Sequence, residues 1–225
     1  MILVKPSTEI MFLRDGGHIL ERIESAGRTC YKSEGQISEA SAVRFCQHLL
    51  KRGHESVIEH EYATVRFVVD RGVSHELVRH RLASYSQEST RYCNYRGGVT
   101  FVIPPWVGVE PGGYFKEACS RQDRLKYPDL QWLVAMLNAE VWYKHLLEAG
   151  WTPQQARSIL PNSLKTEIVV TANMREWRHI FRLRCANAAH PQMWEVMRPL
   201  LAEFQERVPV LFDDICYAVS TTNTG

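Results

Sequence analysis

The sequence predicts an α+β fold: one domain over residues 1–225, with a central twisted mixed or antiparallel sheet flanked by helices. Three observations carry this. In YATVRFVVD, residues 62–70, Ala63, Val65, Phe67 and Val69 alternate with Tyr62, Thr64, Arg66 and Val68, which is the period of a half-buried strand. Elsewhere the apolar spacing is helical, as in Ile19, Ile23 and Ala26. Strand and helix signals do not alternate as regular βαβ units, which argues against a doubly wound sheet. A chain of 225 residues can bury a substantial core, and no linker divides it.

Taken in order, Met1 to Val4 reads as a strand, and Gly17 to Cys30 and Ile37 to Arg52 as helices. After the strand at 62–70, a helix from Gly72 to Arg79 is expected, then a strand from Val99 to Ile103 and a loop at PPWVGVEPGG. Tyr114 to Gly150 is helical with an interruption at Tyr127 and Pro128, and Gly150 closes it. Thr152 and Pro153 read as an N-cap and first helical residue of a helix ending near Pro161. TEIVVTAN is a second strand, Arg175 to Arg184 and Pro191 to Arg207 are helices, and STTNTG is a frayed tail.

Composition narrows the function. Aliphatic, aromatic and cysteine residues make up 45% and charged residues 23%, as in ordinary globular proteins. A net charge of +2 is too small for a protein that coats a nucleic-acid backbone. Six dispersed cysteines without a CxxC pair read as reduced thiols. The stretch MILVKPSTEIMFLRDGG lacks the marks of a secretion signal, and no apolar run approaches membrane-spanning length. A soluble cytoplasmic protein is expected.

The positive charge is concentrated instead. RHRLASYSQESTRYCNYRGG, residues 79–98, holds Arg79, His80, Arg81, Arg91 and Arg96 with a single acid, Glu88. Like charges this dense cost stability unless an anion sits among them. On one continuous helix Arg79 and Arg81 would lie about 200° apart, so either the chain becomes extended there or the two serve different anions. Ser89, Thr90 and Arg91 combine hydroxyls, backbone N–H groups and a guanidinium fork, the donors a phosphate monoester needs. A second cluster, HESVIEHEY, fails the HExxH spacing, as does HELVRH at 75–80, so no metal is expected; Ser56 would cap a turn or offer a hydroxyl to a ligand. In a third, Arg175, His179 and Arg182 share one helical side while Trp177, Ile180 and Leu183 supply the apolar one. No GxGxxG or GxxxxGK[ST] is present, so a nucleotide would have to be gripped by side chains.

RHR followed by seven residues and Ser89, closing on Arg91 and Tyr92, resembles the signature of the flavin-dependent thymidylate synthases. The likeness extends through GHES and EH at 53–60, ARSILP at 156–161 and TANMREWRHIFRLR at 171–184, with His190 following. It implies reductive methylation of dUMP to dTMP, with methylenetetrahydrofolate as one-carbon donor and reduced FAD, recharged by NADPH, as hydride source. By matching position it implies that FAD meets Ser56, Arg79, His80, Arg81, Gln87, Asn173, Arg175 and His179. The nucleotide would meet Glu76, Arg79, Gln87, Glu88, Ser89, Thr90, Arg91, Arg157 and Arg184. Arg184 would be the catalytic residue that stabilises negative charge building on the pyrimidine, as an oxyanion hole does. The resemblance also implies a homotetramer whose subunits share each pocket, with no nucleic-acid or membrane partner.

Ser86 and Gln87 stand where many members carry Asn and Glu, and Glu76 where many carry Gln. The first 50 residues match poorly. Two other readings compete: a flavin-dependent uracil methyltransferase acting on RNA, which needs a longer basic track, and a non-enzymatic RNA-binding module built on Arg and Tyr stacking, which predicts no flavin colour. Cys93 and Cys185 adjoin the motif arginines, yet neither is expected to attack the pyrimidine.

Overall fold

The computed structural model describes residues 1–115 and 125–217. Strands β1 (Ile2–Val4) and β2 (Ser7–Phe12) precede helices α1 (Gly16–Thr29) and α2 (Ser41–Lys51), strand β3 (Tyr62–Asp70), helix α3 (Arg71–Leu77) and strand β4 (Ala83–Gln87). Then come β5 (Thr100–Val102), β6 (Gly112–Gly113), the long helix α4 (Tyr127–Glu148), the short α5 (Pro153–Ala156), β7 (Lys165–Asn173), and helices α6 (Met174–Arg184), α7 (Pro191–Arg207) and α8 (Pro209–Phe212). The strands form two sheets. One has the order β5-β1-β6, with β1 parallel to β5 and antiparallel to β6. The other has the order β2-β3-β7-β4. The α+β class holds, with its strands divided between these sheets.

The chain forms two compact units, each assembled from three segments: Met1–Ser7, Phe67–Arg79 and Ser86–Val169 in the first, and Thr8–Arg66, His80–Tyr85 and Val170–Gly225 in the second. The core of the first packs Leu3, Phe101 and Ile103 against Leu133, Leu137 and Tyr143 of α4. Pro128 sits in the first turn of α4, where a missing N–H costs nothing. Gly150 ends that helix with φ +91°, a left-handed conformation that glycine adopts without penalty. Thr152 caps α5, and its N–H donates to Gln155 Oε1 at 2.9 Å. The expected helical stretch before Tyr127 and the tail STTNTG fall largely on 116–124 and 218–225, outside the described residues.

The core of the second unit is aromatic. Trp177 and Phe181 of α6 pack on Phe204 of α7, and Phe181 and Phe204 both meet Phe212 of α8 edge-on. The buried side of α6 is Met174, Trp177, Ile180 and Phe181, whereas Leu183, expected on that side, is half exposed. Arg178 also lies inside, 1% exposed. Its Nη1 and Nη2 donate to the two carboxylate oxygens of Asp214 at 2.7 and 2.6 Å, and Nη1 also meets the Leu211 carbonyl. No helix among the described residues is long and apolar enough to cross a membrane.

Replacing Arg178 by Met keeps bulk but orphans the Leu211 carbonyl, a loss of about 1–3 kcal/mol for an unsatisfied buried group. Urea unfolding should register that loss, and an unchanged midpoint would show that the clamp contributes nothing.

Candidate active site

In the first unit, β3 ends on Asp70, whose Oδ1 accepts the Val73 N–H at 2.7 Å and starts α3 without an intervening loop. Arg71 and His75 then lie four residues apart on one face of α3. Both line a cavity of about 300 Å³ with Thr90, Arg157, Ser158 and Asn162. Arg157 reaches it from the turn after α5 and donates from Nη1 to Thr90 Oγ1 at 2.8 Å. Two guanidinium groups, an imidazole, two hydroxyls and an amide make an anion receptor without any glycine-rich loop.

Of the residues expected to hold the nucleotide, Thr90 and Arg157 line this cavity. Ser89 sits in the adjacent turn, and its Oγ accepts the Arg91 N–H at 3.3 Å. Arg91 is exposed, donates to Gln154 Oε1 at 3.0 Å and lies over the Tyr92 ring. Glu88 is committed to neighbours, accepting from Lys165 Nζ at 3.0 Å and Tyr95 Oη at 2.8 Å. Burial opposes the Lys165 charge, but Glu167 and Glu88 together hold its pKa above the ordinary value. Glu76 is half-buried on α3, and Arg79 is exposed just beyond it.

Gln87 explains its own departure from the family pattern. Ser74 Oγ donates to the Arg71 carbonyl at 3.0 Å, so its lone pair faces outward and accepts from Gln87 Nε2 at 2.9 Å. Thr166 Oγ1 accepts a second Gln87 N–H at 3.2 Å. A carboxylate in this place would meet the lone pair of a hydroxyl whose hydrogen is already used. The sequence reading missed Arg71, His75, Asn162 and Lys165. The four-residue spacing of Arg71 and His75 is visible in the sequence, but in HELVRH His75 presents itself only as part of a near-miss to a zinc motif.

In the second unit the turn before β4 carries Arg81, exposed, and His80, 5% exposed. Tyr85 Oη fixes that turn by donating to the His80 carbonyl at 2.7 Å. Arg184, at the last turn of α6, donates from Nε to His80 Nε2 at 2.9 Å. Burial, then the charges of Arg184 and His179, push the His80 pKa from 6.5 down to about 4. The His179 ring stands edge-on to it, centroids 5.8 Å apart. Asn173 caps α6, accepting the Glu176 N–H at 2.8 Å, and exposed Arg175 donates to Glu59 Oε1 at 2.6 Å. Ser56 is exposed on a 3-10 helix, Glu55–His60. The exposed guanidinium groups, imidazole and hydroxyl fit a dinucleotide pyrophosphate in their donor chemistry.

His80, Glu176 and His179 also bring three potential metal-ligand atoms within 4.8 Å of one another. A cation there would sit close to the Arg184 guanidinium that contacts the same ring, a repulsion that disfavours it. The thiols are free at Cys30, Cys46, Cys93, Cys185 and Cys216, and Cys119 lies outside the described residues. Cys185 follows Arg184 in the sequence and is buried. Burial outweighs the opposing charge of Arg198 and raises the thiol to about 12.

A cation-lined cavity in one unit and a buried imidazole–guanidinium pair in the other belong to proteins that hold phosphorylated ligands by side chains alone. Comparison identifies the class further. Residues 18–210 match the family described as Thymidylate synthase complementing protein. The chain belongs to this family, the flavin-dependent thymidylate synthases. It is 35% identical to the Flavin-dependent thymidylate synthase of Geobacter sulfurreducens over 201 residues, 84% of this chain and 78% of that one. With the enzyme of the same name from Mycobacteroides abscessus it shares 33% over 215 residues, 93% of this chain and 84% of the other. Its fold is similar to that of the UMP/dUMP methylase PolB from Streptomyces cacaoi bound with 5-Br dUMP, with a TM-score of 0.73 at 20% identity, covering 95% of this chain and 96% of that one.

Two outcomes follow from the titrating groups. The native protein binds fewer protons at His80 than the unfolded chain between pH 6.5 and about 4, so stability falls as pH falls through that window. Urea midpoints across that range should drop less steeply in His80→Gln than in the wild type; parallel slopes would remove His80 as a source. Alkylation of the native protein followed by peptide mapping should label exposed Cys30 and Cys216 and spare buried Cys46 and Cys185. Rapid native labelling of Cys185 would reopen the thiolate route.

Proposed function

We propose that the protein converts dUMP to dTMP by reductive methylation, taking the one-carbon unit from methylenetetrahydrofolate and recharging its flavin with NADPH. The observation that carries this reading is the cavity in which Arg157 holds Thr90 while Arg71 and His75 add two further donors. It has the chemistry of a phosphate-monoester receptor, and two of its lining residues, Thr90 and Arg157, belong to the family's nucleotide motifs. FAD, when bound, supplies the hydride that completes the methyl group.

The remaining work falls to this chain's side chains. Arg157, Thr90, Ser89 and Arg91 bind the phosphate, and Glu76, Arg79, Gln87 and Glu88 complete the nucleotide contacts. Arg184 stabilises the negative charge that develops on the pyrimidine when C5 becomes nucleophilic; as a guanidinium it stays protonated at any working pH. Ser56, Arg79, His80, Arg81, Gln87, Asn173, Arg175 and His179 hold the flavin dinucleotide. The raised, buried Cys185 thiol supports a route without a thiolate adduct. Shared pockets in a homotetramer agree with exposed cations at these positions, and free thiols support a reducing, cytoplasmic setting.

An anaerobic assay for dTMP from dUMP, with and without added FAD, tests the reading. Activity should require both flavin and methylenetetrahydrofolate, and a colourless protein that cannot be reconstituted would overturn it. In the same assay Arg157→Ala should weaken dUMP binding by about 10–100-fold, the effect of losing a charged hydrogen bond, and leave turnover at saturation nearly unchanged.

A further inference from the structure

Glu176 occupies the third position of α6, where its N–H is already capped by Asn173 at 2.8 Å. A glutamate at this position ordinarily turns back toward the helix start or out to water. Here the residue is 6% exposed, and burial pushes its carboxyl above the ordinary range against the pull of His179 and Arg175. Burying a carboxylate is costly unless it meets a partner. Beside those two charges it has His80 as a close neighbour, whose Nδ1 lies 3.5 Å from Glu176 Oε1.

The other side of that ring is equally defined. Arg184 Nε–H donates to His80 Nε2 at 2.9 Å, and an arginine N–H cannot accept in return, so Nε2 carries a lone pair. The ring proton therefore sits on Nδ1, toward the carboxylate. Tyr85 holds the His80 carbonyl, and His179 stands edge-on to the ring. The imidazole is thus fixed from the carboxylate side, the guanidinium side and the backbone.

Resting on the role of Arg184 in dUMP methylation given above, we infer that Glu176 is a positioning residue: its carboxylate fixes the Nδ1–H tautomer of His80, and the Nε2 lone pair so exposed holds the Arg184 guanidinium in place. Glu176 itself is buried. Its effect passes through His80 to the residue that meets the reacting ring, as supporting partners do behind metal ligands and catalytic histidines.

The test compares Glu176→Gln with Glu176→Asp in the flavin-loaded protein. Nitrogen-15 NMR of His80 at neutral pH should show Nδ1–H in the wild type and a mixture or the Nε2–H form in Glu176→Gln. Turnover at saturating dUMP should fall about tenfold in Glu176→Gln while KM for dUMP changes less than about threefold. Glu176→Asp, which keeps the charge and guards against loss of folding in the first variant, should recover most of both signals. The inference is overturned if Glu176→Gln keeps the Nδ1–H tautomer, if its turnover is unchanged, or if Glu176→Asp behaves no better than Glu176→Gln. The tautomer is read without dUMP or folate, so a failure there is separate from a failure to make dTMP.

Discussion

A guanidinium taken out of water costs several kcal/mol unless its charge and its donors are matched together. Arg178 meets that demand by giving two N–H groups to Asp214 and one to the Leu211 carbonyl, which ties the middle of α6 to the segment after α8. Because a helix turns 100° per residue, fixing Arg178 inward fixes the direction of every other side chain on α6. Trp177 and Phe181 are driven into the aromatic core, Arg175, His179 and Arg182 are driven out, and Glu176 is turned inward onto His80. Glu55 and Glu59 then neutralise the outward cations, with Arg182 3.3 Å from Glu55 and Arg175 2.6 Å from Glu59. The buried apolar side of α6 and the Arg178 clamp thus select the same facing.

The first unit solves the opposite problem, keeping cations together. Asp70 starts α3 at the end of β3, and the Arg71 N–H is held by the carbonyls of Asn162 and Leu164 at 2.9 and 3.1 Å. The backbone that carries Arg71 is thereby fastened to the segment that carries Asn162, and both line the cavity. Glu88, the one acid of the arginine-rich stretch, is removed from competition by Lys165 and Tyr95. Burial and the hydrogen bond to Glu88 push the Tyr95 phenol well above its ordinary range, so it remains a donor. What is left at the cavity is positive charge without a local counter-ion among its lining residues.

Much of this was legible from residue order. The alternation in YATVRFVVD is reproduced with Ala63, Val65, Phe67 and Val69 all buried, because burial on one face is what selects such a pattern. Thr152, Pro153 and Gly150 mark helix ends by local chemistry that tertiary context does not override. The short β2 and β6 were not legible, since STEIMF has mixed exposure and a pair of glycines carries no pattern. The start of α2 at Ser41 rather than near Ile37 reflects the 3-10 helix Glu34–Gln36 and the turn that follow α1. At the site, Thr90 and Arg157 were foreseen by motif. Arg71 and His75 were not, because their meaning depends on which segment α3 packs against. Nor could periodicity reveal that both division points within β3 and β7 fall inside strands, at Arg66/Phe67 and Val169/Val170, which is why no linker composition appears.

Charge order in the second unit follows from the fixed protonation of arginine. Arg184 cannot give up its proton, so of the groups in contact around it the imidazole is the one that adjusts. An imidazolium at His80 would put a second positive charge within 2.9 Å of Arg184 Nε and would remove the lone pair that accepts its N–H. Burial and those neighbouring charges accordingly keep the ring neutral down to about pH 4. Neutrality leaves the ring an acceptor toward Arg184, with its other nitrogen 3.5 Å from Glu176 Oε1. The guanidinium, the neutral ring and the buried carboxyl of Glu176 then stand in sequence. The neutral amide of Gln87 in the first unit expresses the same rule: where the neighbouring Ser74 hydroxyl has already spent its hydrogen, a donor fits and a second anion does not.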